Sequence, residues 1–450
     1  MTTHVATSRE RRETGVSLPG LRYAVFTTRN FIYFVAVLAM NYTLMRPSPV
    51  DLLFILSFLF TLFYITISHK QEMTRRVLTL SLLLGSWAVS YILASLPHLG
   101  EKDVIFELVA KTFAISIGLI AAFVSMTWTQ RHFESFMRVY IVSCVIASIL
   151  GTIGFVTQNA QLTWDGRARG LIDDPNMYGS FLLPAAIFCA YFISRPGRGK
   201  HWLWAAMSLV VLGIVLSFSR IAQVALVVCL LSYLVFHYRK RHRHLVLILV
   251  AMAALVIVVL AGALLAPSEF SEKFFDRLTF AKEYDLGEGG RYNRYLLVLP
   301  MILQNPIGLG VLQLEKISPE PIHNIWLSSF VNYGWGGGVA WLFLAFGSVG
   351  VAIANYRRTQ SEIPVVLLFS LIGIVMCATL HEGEHWRHMW LFFGLVWGLN
   401  TVSLGVDGIM RPGGGPRKRP QFAPAGRPAP LQSRVRAAVR QAQGQSGPQR

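Results

Sequence analysis

Apolar stretches of about twenty residues recur along this chain, and they constrain its fold more than any other feature. They extend from about residue 31 to residue 404, and a stretch of this length crosses the hydrocarbon core of a bilayer as an α-helix. Charged residues make up only 14% of the 450 residues, whereas soluble domains carry about 25%. The sequence therefore predicts an all-α polytopic membrane protein and excludes soluble enzymes and secreted proteins.

The apolar stretches predict about twelve transmembrane helices. The predicted spans are residues 31–45, 50–68, 77–97, 105–127, 136–157, 176–194, 202–219, 220–237, 245–266, 323–354, 363–380 and 386–404. One connection, residues 267–322, is far longer than the roughly 2–8 residues usual between bundled helices, and loops of that length are commonly functional. Its apolar stretch Tyr292–Leu303 predicts a helix at the membrane surface.

Basic residues are distributed unevenly between alternate connections, and this asymmetry predicts the orientation of the chain. Arg75-Arg76 and Arg357-Arg358 fall on the side of both termini, which is then cytoplasmic, whereas acidic residues accumulate in the opposite connections. The termini are a basic segment, residues 1–30, and a basic tail, residues 405–450, whose composition predicts disorder. The net charge of +18 is spread over separate membrane connections, so the bilayer is the expected partner and nucleic acid is not.

Two arginines precede the predicted start of the sixth span. Arg167 and Arg169 come just before Asp174-Pro175-Asn176, in which Asp174 suits a helix N-cap and Pro175 suits the first helical turn. Capping explains Asp174 and Pro175 but leaves the arginines unexplained, and arginines beside a helix N-terminus favour an anion site. Arg220, between the seventh and eighth spans, would lie at the same membrane edge, where a snorkelling arginine is the simpler interpretation.

The long connection and the tenth span contain glycines and a histidine. Gly289-Gly290-Arg291 is followed by Asn305-Pro306-Ile307-Gly308-Leu309-Gly310, whose glycines allow tight turns and close backbone approach. His323-Asn324 begins the tenth span, and Gly334 favours close helix packing. Three arginines and a histidine on one side of the membrane suit a phosphate-bearing substrate, because guanidinium groups pair bidentately with phosphate oxygens.

Two other groups of charged residues are candidate sites. His381-Glu382-Gly383-Glu384-His385 matches the HExxH pattern of zinc proteases, but it lies in a short connection with a central glycine and without an evident third ligand. A metal site is therefore not expected there, although Glu382 or His385 could line a cavity. Lys111 lies inside the fourth span and is expected to pair with Glu107 one turn earlier.

Taken together and in this order, these motifs resemble the O-antigen ligase family, which includes related O-antigen and exopolysaccharide polymerases. The resemblance covers about residues 160–345 and is carried by Arg169-Gly170 with Asp174-Pro175-Asn176, Ser219-Arg220, Gly290-Arg291, Asn305–Gly310, His323-Asn324 and Tyr333-Gly334. The family often has tryptophan where Tyr295 stands in this chain.

The resemblance implies an inner-membrane glycosyltransferase of the helical, GT-C-like type, with residues 31–404 as its transmembrane domain and a site that faces the periplasm. The implied donor is a glycan linked through diphosphate to undecaprenol, and the acceptor is lipid A–core for a ligase or a growing polysaccharide for a polymerase. No cofactor and no metal ion are expected. The implied catalytic residues are His323, Arg291 and Arg220, and the implied donor-binding residues are Arg169, Asn176, Arg220, Arg291 and Asn324.

Several alternatives stay open at this point. His323 either takes the proton of the acceptor hydroxyl or only donates a hydrogen bond to the diphosphate. A polymerase shares the motifs and the chemistry of a ligase, so the acceptor is undecided. A transporter or flippase for lipid-linked sugars is disfavoured because the charges cluster at one face instead of following a path through the membrane, and a membrane zinc protease is disfavoured by the position of the HExxH pattern.

Overall fold

The computed structural model describes residues 18–45, 48–68, 74–197, 199–241, 243, 246, 291–318 and 322–407. The chain divides into two units, residues 1–405 and 406–450, and the description of the second is confined to its first residues, at the end of the last helix. The predicted ninth span, the part of the long connection before residue 291, and the predicted tail from residue 408 lie outside the described residues.

Helices make up almost all of the described structure, as the sequence predicts. They are α1 Leu18–Ala39, α2 Pro49–Ser68, α3 Arg75–Ser95, α4 Lys102–Ser125, α5 Gln130–Thr157, α6 Pro175–Ile193, α7 His201–Leu216, α8 Arg220–Tyr238, α9 Arg291–Gln304, α10 Leu314–Ile317, α11 Ile325–Thr359, α12 Ile363–Thr379, α13 Arg387–Gly398 and α14 Thr401–Asp407. Single 3-10 turns follow α3, at Leu96–His98, and precede α13, at Gly383–His385. One antiparallel hairpin, β1 Thr163–Trp164 and β2 Arg167–Ala168, stands between α5 and α6.

Seven helical segments in the described part of the chain are long and apolar enough to cross a membrane. They are Pro49–Ser68, Arg75–His98, Lys102–Ser125, Gln130–Thr157, Pro175–Ile193, Arg220–Tyr238 and Ile325–Thr359. Two shorter apolar helices, α7 and α12, pack among them. The fold is therefore that of an all-α polytopic membrane protein.

Helix α6 lies at the centre of the bundle. Every residue from 178 to 191 is buried, and α5, α7, α8 and α12 all pack against it. A helix that is apolar on all sides is typical of the interior of a large protein or of a membrane span, and here four other helices cover it. Its first turn, where the sequence predicts an anion site, is therefore positioned by the centre of the bundle.

The first helix differs from the predicted span 31–45, because α1 begins at Leu18 and ends at Ala39. Residues 18–30, expected as part of a basic segment, form its first half. The basic side chain of Arg29 is buried there because it finds partners, donating to Thr127 Oγ1 at 2.6 Å and to Asn30 Oδ1 at 3.0 Å. Its guanidinium also lies over the rings of Phe26 and Tyr64.

Two other predicted spans are interrupted. The last one is divided into α13 and α14, because Asn400 Oδ1 accepts from the backbone N–H groups of Val402 and Ser403 and so caps a new helix. Helix α11 contains a break at Gly334, whose φ of 68° and ψ of −171° are essentially restricted to glycine.

Candidate functional site

The motifs of the sequence analysis meet at one end of the bundle, which we call the site end. Here α5, α7 and α12 finish, and α6, α8, α11 and α13 begin. Contacts between segments distant in sequence hold the helices together at this end. They include Asp51 with Arg387, Arg167 with Ser217 O, and Trp326 Nε1 with Thr379 Oγ1. Candidate residues far apart in the sequence are thus placed on one surface.

The hairpin before α6 turns through Asp165 and Gly166, whose φ angles are 52° and 65°. Two positive φ values in a two-residue loop are typical of a type I′ turn, for which Asp-Gly is a favoured sequence. In this hairpin Thr163 pairs with Ala168, and Trp164 pairs with Arg167. The register places Arg167 where its side chain reaches Asn176 and Ser217. The hairpin is absent from the predictions above, although the Asp165-Gly166 pair is a signal for it.

Arg167 connects the start of α6 with the end of α7, just before α8 begins. Its Nη2 donates to Asn176 Oδ1 at 2.7 Å, and its Nε donates to the carbonyl oxygen of Ser217 at 2.8 Å. Asp174 caps α6 as predicted, accepting from the backbone N–H groups of Asn176 at 2.6 Å and Met177 at 3.0 Å. The predicted binding residue Asn176 is therefore fixed in the first turn of α6.

Arg169 directly follows the second strand of the hairpin. Its Nη1 donates to the carbonyl oxygen of Asp173 at 3.0 Å. It lines an open cavity of about 570 Å³ together with Trp164, Asp165 and Asp173. The structure thus places Arg169 in the wall of a cavity beside the start of α6.

Arg220 is the first residue of α8 and is partly exposed. The chain reaches it through Phe218, whose φ is 51°. A side chain at Gly179 of α6 would contact Ser217, Ser219 and Ala222. Glycine at this position therefore lets the start of α8 approach the first turns of α6 closely.

His323 precedes α11 and has a φ of 53°. Asn324 follows as the N-cap, and its Oδ1 accepts from the backbone N–H groups of Trp326 at 2.9 Å and Leu327 at 3.1 Å. The His323 ring lies 5.9 Å from the ring of His381, measured between centroids. The predicted catalytic histidine thus meets the connection that carries the HExxH pattern.

Stepwise contacts join the start of α8 to His323. Ser180, next to Gly179, shares a hydrogen bond with His388 Nε2 at 3.1 Å. The His388 ring stacks on Trp386 at 5.6 Å, and Trp386 lies 6.4 Å from His381. These contacts connect the first turns of α6, against which the start of α8 packs, with the connection before α13 and with His323.

Arg291 is the first residue of α9. This helix packs on α11 through a small separate core formed by Val298, Leu314, Ile322 and Val331. Because Ile322 immediately precedes His323, one apolar cluster positions both the helix that Arg291 begins and the histidine. The helix predicted in the stretch Tyr292–Leu303 is confirmed.

The motif Asn305–Gly310 has a structural role at the break in α11. Gly308 and Gly310 have φ values of 94° and 96°, and a side chain on Gly334 would contact the backbone of Ile307. The N–H groups of Leu309 and Gly310 donate to the carbonyl oxygens of Val331 and Asn332 at 2.8 and 2.9 Å. The prediction that these glycines permit tight turns and close packing is confirmed.

A buried charged cluster lies below His381. Lys111 contacts Glu107 at 3.1 Å, as predicted, but it also contacts Glu384 at 2.5 Å. Glu384 accepts a further hydrogen bond from Ser328 at 2.6 Å and another from Tyr333. Burial opposes ionisation of Glu384, but Lys111 and these hydrogen bonds outweigh it and lower its pKa. The cluster joins α4, α11 and the connection before α13.

The HExxH pattern does not form the arrangement of a zinc protease. Gly383–His385 is a single 3-10 turn, whereas that arrangement needs both histidines on one face of an α-helix. Glu384 is occupied by Lys111, and His385 Nε2 lies 3.1 Å from Glu107. Among the described residues, no group of three or more His, Cys, Asp or Glu side chains is placed to hold a metal ion.

Glu382 lies in the same connection as His381. Burial and, to a smaller extent, the neighbouring carboxylate of Glu384 together raise the pKa of Glu382 to about 7, against the opposing charge of Lys111. A carboxyl group with a pKa near 7 can exchange a proton at neutral pH. The sequence analysis identified Glu382 only as a residue that could line a cavity, since its burial depends on contacts distant in sequence.

Comparison with known proteins gives one match. Residues 205–342 match the sequence model of a family described as O-antigen ligase. The matched segment contains Arg220, Arg291, the Asn305–Gly310 turn and His323-Asn324, while Arg169 and Asn176 precede it. A search of curated proteins found no match. The resemblance of this chain to the O-antigen ligase family is thereby confirmed over residues 205–342.

Proposed function

We propose that this protein is a membrane glycosyltransferase of the O-antigen ligase type. It transfers a glycan from undecaprenyl diphosphate to lipid A–core at the periplasmic face of the bacterial inner membrane. The observation that supports the proposal is that Arg220, at the start of α8, and His323, directly before α11, both lie at the site end and within the segment that matches the family.

The reaction is a displacement at the anomeric carbon of the donor sugar. The acceptor hydroxyl oxygen forms the new C–O bond, the bond between the anomeric carbon and the diphosphate oxygen breaks, and undecaprenyl diphosphate leaves with the electron pair. Arg220 and Arg291 stabilise the charge that grows on the diphosphate, which is the logic of preorganised electrostatic catalysis. His323 accepts the proton of the hydroxyl; positioned acid–base groups supply about 10²–10⁴-fold in rate.

Charge distribution supports the orientation. Described basic residues such as Arg75, Arg131, Arg239 and Arg357 lie at the opposite end from the site. By the positive-inside rule that end faces the cytoplasm. Both termini are then cytoplasmic, and the fold has about twelve spans of the GT-C-like type once the predicted ninth span is included.

The first test supplies the purified chain with an undecaprenyl-diphosphate-linked oligosaccharide repeat, in the presence of EDTA and without lipid A–core. The expected result is no transfer until lipid A–core is added, and then transfer onto it without metal. A ladder of longer lipid-linked chains before that addition would identify a polymerase. Absence of transfer onto either acceptor would contradict the proposal and favour a transporter.

Variants test the assigned residues in the same assay. Arg220→Ala and Arg291→Ala should each abolish transfer while the protein remains inserted, because the leaving diphosphate loses a counter-charge. His323→Ala should lower the transfer rate by about 10²-fold or more if the histidine is the general base. Arg131→Ala, an exposed change at the opposite end, is the matched control and should leave transfer unchanged. Undiminished activity in both arginine variants would rule out their diphosphate role.

A further inference from the structure

The cavity beside the hairpin has the dimensions and the chemistry of a sugar site. Its volume of about 570 Å³ falls within the range of roughly 300–1,000 Å³ typical of small-molecule sites. Its walls include Gln158, Thr163, Trp164, Asp165, Arg169 and Asp173. Carboxylate and amide groups accept hydrogen bonds from hydroxyl groups, and an aromatic face covers the apolar C–H face of a sugar ring.

Trp164 is the most informative residue of the cavity. Its side chain is 54% exposed. By contrast, the neighbouring strand residue Thr163 and the residue paired with it, Ala168, are both buried. Tryptophan brings a large apolar surface and is enriched at binding interfaces. Because Trp164 also lines a cavity with polar walls, its exposed indole is placed to cover the apolar face of a ligand.

The surroundings of Trp164 favour a glycan over a lipid chain. The adjoining residues Gln158, Asn159, Ala160 and Gln161 are all exposed, and three of the four are polar. Asp165 and Asp173 stand in the same cavity, and a carboxylate beside an acyl chain would lose hydration without compensation. A polar ligand with alternating hydroxyl and C–H surfaces matches this lining.

Hydrogen bonds within the loop and to a neighbouring segment fix the backbone around the cavity. Thr163 Oγ1 donates to the carbonyl oxygen of Asn159 at 2.8 Å, and the N–H groups of Arg169 and Gly170 both donate to Leu162 O. The N–H of Asp173 donates to Thr43 Oγ1 at 3.1 Å. Such preorganisation reduces the entropy lost on binding.

The cavity adjoins the start of α8. Arg167, the hairpin partner of Trp164, donates to Ser217 O, three residues before Arg220 in the sequence. A glycan held against Trp164 would therefore lie next to the surface that carries the proposed diphosphate site. We infer that this cavity is a binding subsite for a neutral oligosaccharide, with Trp164 as its stacking platform and Asp165 and Asp173 as acceptors for sugar hydroxyls.

The inference deepens the proposed function and rests on it for the origin of the glycan. That origin is either the donor repeat or the acceptor. Both sources present an oligosaccharide, so binding of a free oligosaccharide is measured first. The probe is the reducing repeat oligosaccharide, which carries neither lipid nor diphosphate. Its binding to the full chain in nanodiscs is measured by saturation-transfer NMR. Trp164→Ala and Asp173→Asn should each weaken binding about tenfold, which corresponds to about 1.4 kcal/mol, and Trp164→Phe should retain most of it.

The matched control is Trp204→Ala, since Trp204 is 56% exposed but lies in the first turn of α7, away from the site end. Unchanged oligosaccharide binding in Trp164→Ala would overturn the inference, as would an equal loss in Trp204→Ala. A change in thermal stability or membrane insertion of Trp164→Ala without a change in binding would identify a lipid anchor and overturn it as well.

Transfer kinetics then identify the source of the glycan. A raised KM for the donor alone assigns the subsite to the donor repeat, and a raised KM for the acceptor alone assigns it to the acceptor glycan; an unchanged KM for both contradicts the inference. Binding of the free oligosaccharide is measured without turnover. If the wild-type chain is inactive in transfer, the proposed function is refuted, but the binding experiment still decides whether the subsite exists.

Discussion

The side-chain nitrogen of Lys111 lies 2.5 Å from Oε2 of Glu384, although 273 positions separate the two residues, and both side chains are buried. This ion pair fixes the connection before α13 against α4. It also reaches α11 through Ser328 and Tyr333, which donate to the same carboxylate. The pair therefore supports the segment against which His323 packs.

Replacement of Lys111 by methionine should lower the free energy of unfolding by about 3–5 kcal/mol, because breaking a buried pair leaves an uncompensated charge. Denaturant titration in mixed micelles measures this change. The double variant Lys111→Met with Glu384→Gln should recover part of the loss, since the unpaired charge is gone. Lys316→Met is the control: Lys316 pairs with Glu101 on the surface, so little change is expected. Equal losses in both lysine variants would contradict this account.

Arg387 and Asp51 form a second buried pair, with two hydrogen bonds of 2.7 and 2.9 Å that join α2 to the first turn of α13. Arg387→Lys should reduce stability by about 1.5–3 kcal/mol, because a lysine cannot make both bonds. The melting temperature in detergent measures the effect. Arg138→Lys, at an exposed arginine, should have a much smaller effect, and a comparable drop in that variant would argue against bidentate pairing as the cause.

The raised pKa of Glu382, about 7, predicts a pH dependence of stability. Between about pH 4.5 and pH 7 the folded protein keeps a proton on Glu382 that the unfolded chain releases, so stability falls as pH rises through this window. Each unit of pKa shift is equivalent to about 1.4 kcal/mol. Glu382→Gln should therefore be more stable than the wild type at pH 8 and similar to it at pH 4.

Melting curves recorded across this pH range provide the test. Asp103→Asn, at an exposed acidic residue in the first turn of α4, should leave the slope between pH 4.5 and pH 7 unchanged. If the curves of Glu382→Gln and the wild type run parallel over the whole range, the carboxyl group of Glu382 is not the source of the pH dependence.

Two glycines of α11 offer a matched comparison. Gly334→Ala should strongly reduce the yield of folded protein, because its φ of 68° is strained for alanine and the added methyl group would contact the backbone of Ile307. Gly350→Ala has open space around the new Cβ and should stabilise the helix by up to about 1 kcal/mol. Size-exclusion profiles and melting temperatures distinguish the two, and similar behaviour of both variants would show that the break at Gly334 is dispensable.

The sequence predicted features that depend on neighbouring residues. The cap at Asp174, the pairing of Lys111 with Glu107, and the helix over Tyr292–Leu303 each depend on residues within a few positions. The same holds for most helix bounds, because hydropathy reports directly on burial in a membrane. The start of α1 was missed because residues 18–30 were interpreted as part of a basic segment, and the partner of Arg29, Thr127, lies in the distant connection between α4 and α5.

Long-range partners could not be predicted in this way. Glu384 was considered as part of an HExxH pattern, and nothing in its local sequence indicates that Lys111 is its counter-charge. The contact of Arg167 with Ser217 O depends on the hairpin register and on the close approach allowed by Gly179. Such contacts arise from the way the helices pack together. Local patterns in a single sequence do not specify that packing.

The backbone bonds between Asn305–Gly310 and α11 limit how the neighbouring segment can move. The turn contributes N–H groups to Val331 O and Asn332 O and accepts from the N–H of Trp335 through Pro306 O, and losing them at membrane depth would leave polar groups unsatisfied. The ring N–H of Trp335 also donates to the carbonyl oxygen of Ile302 at 3.0 Å, so the C-terminal end of α9 is fastened to α11 from residue 302 onward. Arg291 begins α9 at its other end, and a change in the tilt of α9 would therefore displace Arg291 more than the turn at Asn305–Gly310.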